Sequence, residues 1–120
     1  MTKKITVLGA TGYTGRMIAH ELAHHEKSNW DLQLAGRSEG GLARLADSLP
    51  IAPTFILANP KISKTLIQLC QNSDVLINCV GPFTDLGEPV VAQAAKSGTH
   101  YLDITNELGF VHQMKRYNPV

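Results

Sequence analysis

A chain of 120 residues is one domain by length, too short for a catalytic domain and a separate substrate domain together. Its 11 Lys and Arg against 10 Asp and Glu leave a formal charge of +1, and no block of like charge marks a nucleic-acid or membrane surface. With 43% hydrophobic and 18% charged residues it can bury an ordinary core, which excludes a disordered chain, and apolar runs such as 75–80 fall far short of the ~20 residues of a membrane helix.

Met1-Thr2-Lys3-Lys4 leads at once into a short apolar strand, without the stretch a signal peptide needs, so the sequence reads as cytoplasmic. Cys70 and Cys79 are too few for a disulfide framework and are expected to be buried, inert thiols. Five strands are predicted, at Ile5–Gly9, Leu32–Gly36, Thr54–Ala58, Asp74–Val80 and His100–Ile104, each short, apolar at its centre and bounded by Gly, Asn, Pro or Asp. Continuous apolarity implies that both faces of the sheet are covered. Helices are predicted at Tyr13 to about Lys27, Gly40–Ser48, Lys61–Gln71, Glu88–Lys96 and Glu107–Tyr117. Leu42, Leu45, Ala46 and Leu49 make an i, i+3, i+4, i+7 stripe, while Pro60 and Gly98 punctuate a helix start and a helix end. Such a β-α alternation implies a three-layer, doubly wound α/β fold with right-handed crossovers. A complete doubly wound (Rossmann) domain carries six strands, and here five are counted, so residues 1–120 read as the front part of a longer protein or as an excised domain.

The first strand runs directly into Gly9-Ala10-Thr11-Gly12-Tyr13-Thr14-Gly15, which opens the first helix. Glycines at this spacing let the backbone turn sharply and approach a pyrophosphate, while the helix N-terminus offers free N–H groups and partial positive charge. The strand and helix on either side are the context that raises this loop above a chance match. Thr11 and Thr14 are hydroxyl donors suited to phosphate oxygens, and capping the helix is an equally good role for Thr11. Tyr13 belongs to the same loop.

Leu34-Ala35-Gly36-Arg37-Ser38 ends the second strand. An NAD site carries Asp or Glu here to accept from the ribose hydroxyls; Arg37 stands instead, 22 positions after Gly15, where a guanidinium can clamp a 2′-phosphate with Ser38 adding a hydroxyl. NADP is therefore favoured over NAD. Arg37 as a solvated loop charge is the plainer alternative, and Glu39 is a carboxylate within reach of a ribose. After the fourth strand come Asn78-Cys79-Val80-Gly81-Pro82-Phe83, at the switch point of the sheet. Val80, Gly81 and Pro82 are expected to run beside the ribose and nicotinamide with Phe83 closing the pocket; an ordinary strand-ending turn is the alternative.

At these residues the sequence resembles the saccharopine dehydrogenase-like oxidoreductases, a family that includes trans-acting enoyl reductases. The resemblance covers nearly the whole chain and rests on 9–15, on Ala35-Gly36-Arg37-Ser38, on Val80-Gly81-Pro82-Phe83 with Gly87-Glu88-Pro89-Val90-Val91, and on Gly98-Thr99-His100-Tyr101-Leu102-Asp103. It implies an N-terminal NAD(P)-binding domain followed by a larger α+β domain that helps form the substrate site and a homodimer. Two stretches depart from the family pattern. Leu57-Ala58-Asn59-Pro60 lacks an Asp for the adenine edge, and Asp103-Ile104-Thr105-Asn106-Glu107 replaces the Gly of an Asp-x-Thr-Gly-Glu turn with Asn, which tolerates a left-handed backbone.

His20 and His24 sit four apart with His25 beside them, but opposite the core stripe of Ile18, Ala19, Leu22 and Ala23 and without a third ligand, so no metal site is expected. Asp103, Glu107, His100 and Tyr101 resemble an acid/base set, yet turn-forming or capping is the stronger role for Asp103, and no catalytic residue is assigned. The expected function is the NADP(H)-binding domain of an oxidoreductase that transfers hydride between nicotinamide and a small molecule; the alternative is a non-catalytic NADP-sensing or interaction module.

Overall fold

A computed structural model describes residues 3–25, 30–81, 83–105 and 107–117, the side chains of 83, 84 and 108 apart. Five parallel strands run β1 Lys3–Leu8, β2 Trp30–Gly36, β3 Thr54–Leu57, β4 Val75–Asn78 and β5 His100–Asp103. They lie in the order β3-β2-β1-β4-β5, all neighbours parallel. The helices between them are α1 Tyr13–His24, α2 Glu39–Ser48, α3 Ser63–Gln71 and α4 Phe83–Ser97, followed by α5 Leu108–Met114 and a 3₁₀ turn at Lys115–Tyr117.

Alternation along the central strands builds the three layers. Val7 and Leu34 point into a core with Ala19 and Ala23 of α1 and Leu42 and Leu45 of α2. Their neighbours Leu8 and Ala35 point the other way, with Leu76, to meet Leu66 and Leu69 of α3 and Val90 and Ala94 of α4. At the centre of the sheet a strand residue therefore buries its side chain whichever face it takes, which is why the central strands read as apolar runs.

Several expectations are corrected. Both outer strands are only half covered, with Leu57 45% and Leu102 58% exposed, because each has a strand on one side alone. The fourth strand is shorter than Asp74–Val80, ending at Asn78 where the Asn78 side chain folds back on the backbone of Val80. Helix α3 begins at Ser63 rather than Lys61, because Asn59 holds the preceding residues in a turn: its Oδ1 accepts from Lys61 N–H and its carbonyl from Ile62 N–H. The largest difference is α4, which starts at Phe83 and carries Pro89 inside it instead of beginning at Glu88. Proline fits a first turn best, so the sequence favours a later start; here the helix accepts one missing N–H bond and leaves the site after a very short loop. The expected end of α1 near Lys27 and the turn residue Asn106 lie outside the described residues.

The core also holds polar groups that the strand pattern did not announce. Gln33 of β2 is buried, its Nε2 donating to Thr6 Oγ1 at 3.1 Å and to the Asn72 carbonyl at 3.3 Å, while Thr6 and Ser73 hydroxyls meet at 2.6 Å. This network ties β1, β2 and the end of α3 together at the amino end of the sheet, away from the glycine loop. Among the described residues no helix is long and apolar enough to cross a membrane.

Candidate functional site

The order β3-β2-β1-β4-β5 reverses direction between β1 and β4, so the loops leaving those two strands diverge and open a crevice at their carboxyl ends. A cleft of about 500 Å³ lies there, lined by Gly9, Thr11 and Gly12 from the first loop, Gly36, Arg37 and Ser38 from the second, and Cys79, Val80 and Gly81 from the fourth. Three stretches far apart in sequence and singled out separately thus share one cleft. Ala58 and Pro60, after β3, also line it, from the stretch that departs from the family pattern at the adenine edge. A larger polar cleft of about 920 Å³, lined by Lys3, Asp74, Lys96 and His100 among others, opens at the amino ends of the strands, the end where an open parallel sheet does not bind its ligand.

The first loop is built for close approach. Gly9 has φ +80°, and a Cβ there would meet Val80 Cγ2 at 2.8 Å; its N–H and that of Ala10 both donate to the Ala35 carbonyl, at 2.9 and 3.1 Å. Gly15 is buried beneath the loop, where a Cβ would stand 2.0 Å from the Gly9 carbonyl oxygen, so this glycine serves packing rather than ligand contact. Gly12 is the N-cap of α1, without a side-chain cap hydrogen bond and without an acidic residue in the first turn. Thr11 therefore does not cap the helix. The N–H groups of Tyr13, Thr14 and Gly15 stand at positions where no intrahelical acceptor exists, and the N-cap, a glycine, has no side chain to satisfy them. That is the donor set an anionic diphosphate needs, with the helix dipole added. Tyr13 and Thr14 are exposed on the helix and their side chains lie outside the cleft lining.

Arg37 follows the last residue of β2 and is exposed at the rim of the cleft. Ser38 is the N-cap of α2, its Oγ accepting from Gly41 N–H at 3.0 Å. A hydroxyl that accepts this bond keeps its own proton to donate, so capping and phosphate contact are compatible. Gly41, which sequence reasoning passed over, permits the close approach of α2: a Cβ there would be 3.1 Å from both Thr11 Cγ2 and Ser38 Oγ. Two helix N-termini converge on the same cleft as a result. Glu39 is the first residue of α2, where a carboxylate complements the helix dipole.

On the far side, Val80 and Gly81 line the cleft as expected, Pro82 lies outside the described residues, and Phe83 forms the first turn of α4 instead of continuing a loop. Asn78, buried completely, was not singled out, although an amide inside the otherwise apolar run 75–80 was the available signal. Its Nδ2 donates to the Tyr101 hydroxyl at 3.1 Å and its Oδ1 accepts from Val80 N–H at 3.0 Å. Burial, with Asp103 adding to it, pushes the Tyr101 phenol far above its ordinary range, while the Asn78 bond pulls it partway back. Asp103 accepts from Thr105 N–H at 3.2 Å, the turn-forming role anticipated for it.

Burial pushes the Cys70 thiol up to about 11, and burial followed by the Asp103 charge does the same for Cys79. At pH 8 both are protonated, so iodoacetamide is expected to leave them unlabelled in the folded protein and to label both in urea; rapid native labelling of Cys79 at pH 8 would contradict this. Since both thiols ionise later in the fold than at the ordinary value of 9.0, the stability they contribute is complete below about pH 9 and falls as pH rises through about 11. Among the described residues no group of three or more His, Cys, Asp or Glu is placed to hold a metal ion; His24 Nδ1 lies 2.7 Å from the His20 carbonyl, and His25 Nε2 lies 3.1 Å from the Glu21 carboxylate.

Known proteins are similar to this chain over most of its length. The trans-acting enoyl reductase of Mycobacterium ulcerans is 37% identical over 110 residues, covering 89% of this chain and 26% of its own length. A probable mitochondrial saccharopine dehydrogenase-like oxidoreductase of Arabidopsis thaliana is 33% identical over 125 residues, covering 92% and 27%. The chain thus spans about a quarter of the length of the curated relatives it matches. Among solved structures, the saccharopine dehydrogenase (L-Glu forming) of Saccharomyces cerevisiae superposes with a TM-score of 0.72 at 22% identity over 89% of this chain and 23% of its own. A short-chain dehydrogenase/reductase of Veillonella parvula in complex with NADP gives 0.70 at 18% identity, over 88% and 48%. Both share the fold. Residues 5–119 match the saccharopine dehydrogenase NADP-binding domain, and this chain belongs to that family.

Proposed function

We propose that the protein holds NADP(H) across the carboxyl ends of β1 and β4 as the cofactor-binding part of an oxidoreductase. The observation that carries this reading is the single cleft into which the glycine loop, Arg37 and the Val80-Gly81 loop all converge. In this reading the diphosphate rests on the uncapped first turn of α1, with Thr11 at its edge, and Arg37 and Ser38 take the 2′-phosphate above β2. The nicotinamide half then extends over β4 and β5, beside Val80 and Gly81. When bound, the cofactor supplies a hydride donor or acceptor. The chain's own residues orient it, and the substrate, a small molecule, is held largely by parts of the protein beyond these 120 residues, which also form the dimer. The enzyme names of the relatives support an oxidoreductase over a sensor.

The test is a calorimetric titration with NADP⁺, NADPH and NAD⁺. Both phosphorylated cofactors are expected to bind about tenfold or more tightly than NAD⁺, on the scale of a charge-assisted phosphate contact. Equal affinity for NADP⁺ and NAD⁺ would remove Arg37 from its role, and no binding of either would remove the reading.

A further inference from the structure

We infer that Asn78 is a positioning residue whose buried side chain links Tyr101 of β5 to the Val80-Gly81 loop and sets that loop for the nicotinamide half of the cofactor. The inference rests on the cofactor reading above and goes beyond it, since Asn78 does not line the cleft.

The direction of each bond is fixed by chemistry. Val80 N–H can only donate, so the Asn78 atom 3.0 Å away is the carbonyl oxygen, and Nδ2 must then face Tyr101 and donate to its hydroxyl oxygen. The phenol's own proton is left free to turn towards Asp103, whose carboxylate lies near enough to act on both Tyr101 and Cys79. A chain of hydrogen bonds therefore runs from the backbone at Val80 through Asn78 to Tyr101, with Asp103 close to the phenol. Asn78 is completely buried and Tyr101 half-buried, so these bonds are less readily exchanged for solvent than a surface pair would be.

Val80 is the residue whose placement matters. Its Cγ2 stands 2.8 Å from the point a Cβ on Gly9 would occupy, and its N and the Cys79 carbonyl carbon stand 3.2 Å from it, so the fourth loop and the phosphate loop abut. Rotating the Val80 peptide changes the wall of the cleft on the β4 side and leaves Arg37, on the β2 side, where it is. A group that only stabilised the sheet would affect both halves of the cofactor alike. One that sets the Val80 loop affects the nicotinamide half alone.

The experiment compares NADP⁺ with adenosine 2′,5′-bisphosphate, which carries the 2′-phosphate end without the nicotinamide. Asn78→Leu is expected to weaken NADP⁺ about tenfold, the scale of one or two buried hydrogen bonds, and to leave the bisphosphate within about twofold. Tyr101→Phe, which keeps the Asn78–Val80 bond, is expected to shift the same ratio by about threefold and decides the matter if Asn78→Leu does not fold. Leu76→Ala, destabilised through the core it shares with Leu66 and Val90, should leave the ratio unchanged. Parallel weakening of both ligands in the Asn78 and Tyr101 variants, or no change in either, would overturn the positioning role. A wild-type protein that bound neither ligand would overturn the cofactor reading, and the inference would fall with it.

Discussion

Gly15→Ala should unfold at a markedly lower urea concentration than the wild type, with a loss of about 3 kcal/mol, at the upper end of what forcing extra atoms into a packed core costs. The added methyl would lie 2.0 Å from the Gly9 carbonyl oxygen, 2.8 Å from the Gly9 carbonyl carbon and 3.0 Å from Ala10 Cα. All three are backbone atoms, so no side-chain rotation relieves the contact. Moving the Gly9 carbonyl breaks its bond from Gly12 N–H at 3.1 Å, and moving α1 instead draws Ala19 and Ala23 out of the core they share with Val7 and Leu34. Gly12→Ala is the matched comparison. Its φ is −75° and its methyl would have the Gly9 oxygen at 3.5 Å, an ordinary contact, so the fold should tolerate it. That methyl would nonetheless stand at the mouth of the phosphate loop. The expected pattern is low stability for Gly15→Ala, and near-normal stability with weakened NADP⁺ binding for Gly12→Ala. Equal urea midpoints for the two variants would refute the packing role of Gly15.

What the sequence disclosed and what it withheld divide along a physical line. The β-α alternation, the parallel sheet and the glycine loop are written in local signals: apolar runs bounded by turn residues, and glycines between a strand and a helix. The stripe of α2 placed Leu42 and Leu45 in the core correctly. Element ends were less legible, because they depend on single hydrogen bonds made by side chains. Asn59 delays α3 by holding a turn, and Asn78 stops β4 by folding back on Val80; in sequence each is merely a polar residue after an apolar run. Pro89 misled in the opposite direction, since a proline inside a helix is uncommon and α4 nevertheless carries one. Arg37, with Ser38 beside it, was legible as part of the cleft lining through its distance from the glycines. Gly41 and Asn78 were not, because both act through neighbours brought close only by the fold: Thr11 and Ser38 for the first, Tyr101 and Val80 for the second.

Arg37→Ala should bind NADP⁺ about tenfold less tightly, within a range of about 1–3 kcal/mol for a hydrogen bond to a charged partner, while NAD⁺ affinity stays within about twofold. Arg37 follows the last residue of β2, exposed at the cleft rim, so its removal opens no cavity and the urea midpoint should not move. Its effect is confined to what approaches the rim. A 2′-phosphate presents a pair of oxygens that the planar fork of a guanidinium matches and an ammonium does not, so Arg37→Lys is expected to recover only part of the loss. Ser38→Ala must be read differently, because Ser38 Oγ accepts the Gly41 N–H at the start of α2 and its loss costs about 1 kcal/mol of stability through the cap alone. A second observable is the salt dependence. Raising the salt concentration should weaken NADP⁺ binding more in the wild type than in Arg37→Ala, since the variant lacks one of the screened attractions. NADP⁺ titrations of both proteins at low and high salt that run parallel, with NAD⁺ weakened as much as NADP⁺, would show that Arg37 does not read the 2′-phosphate.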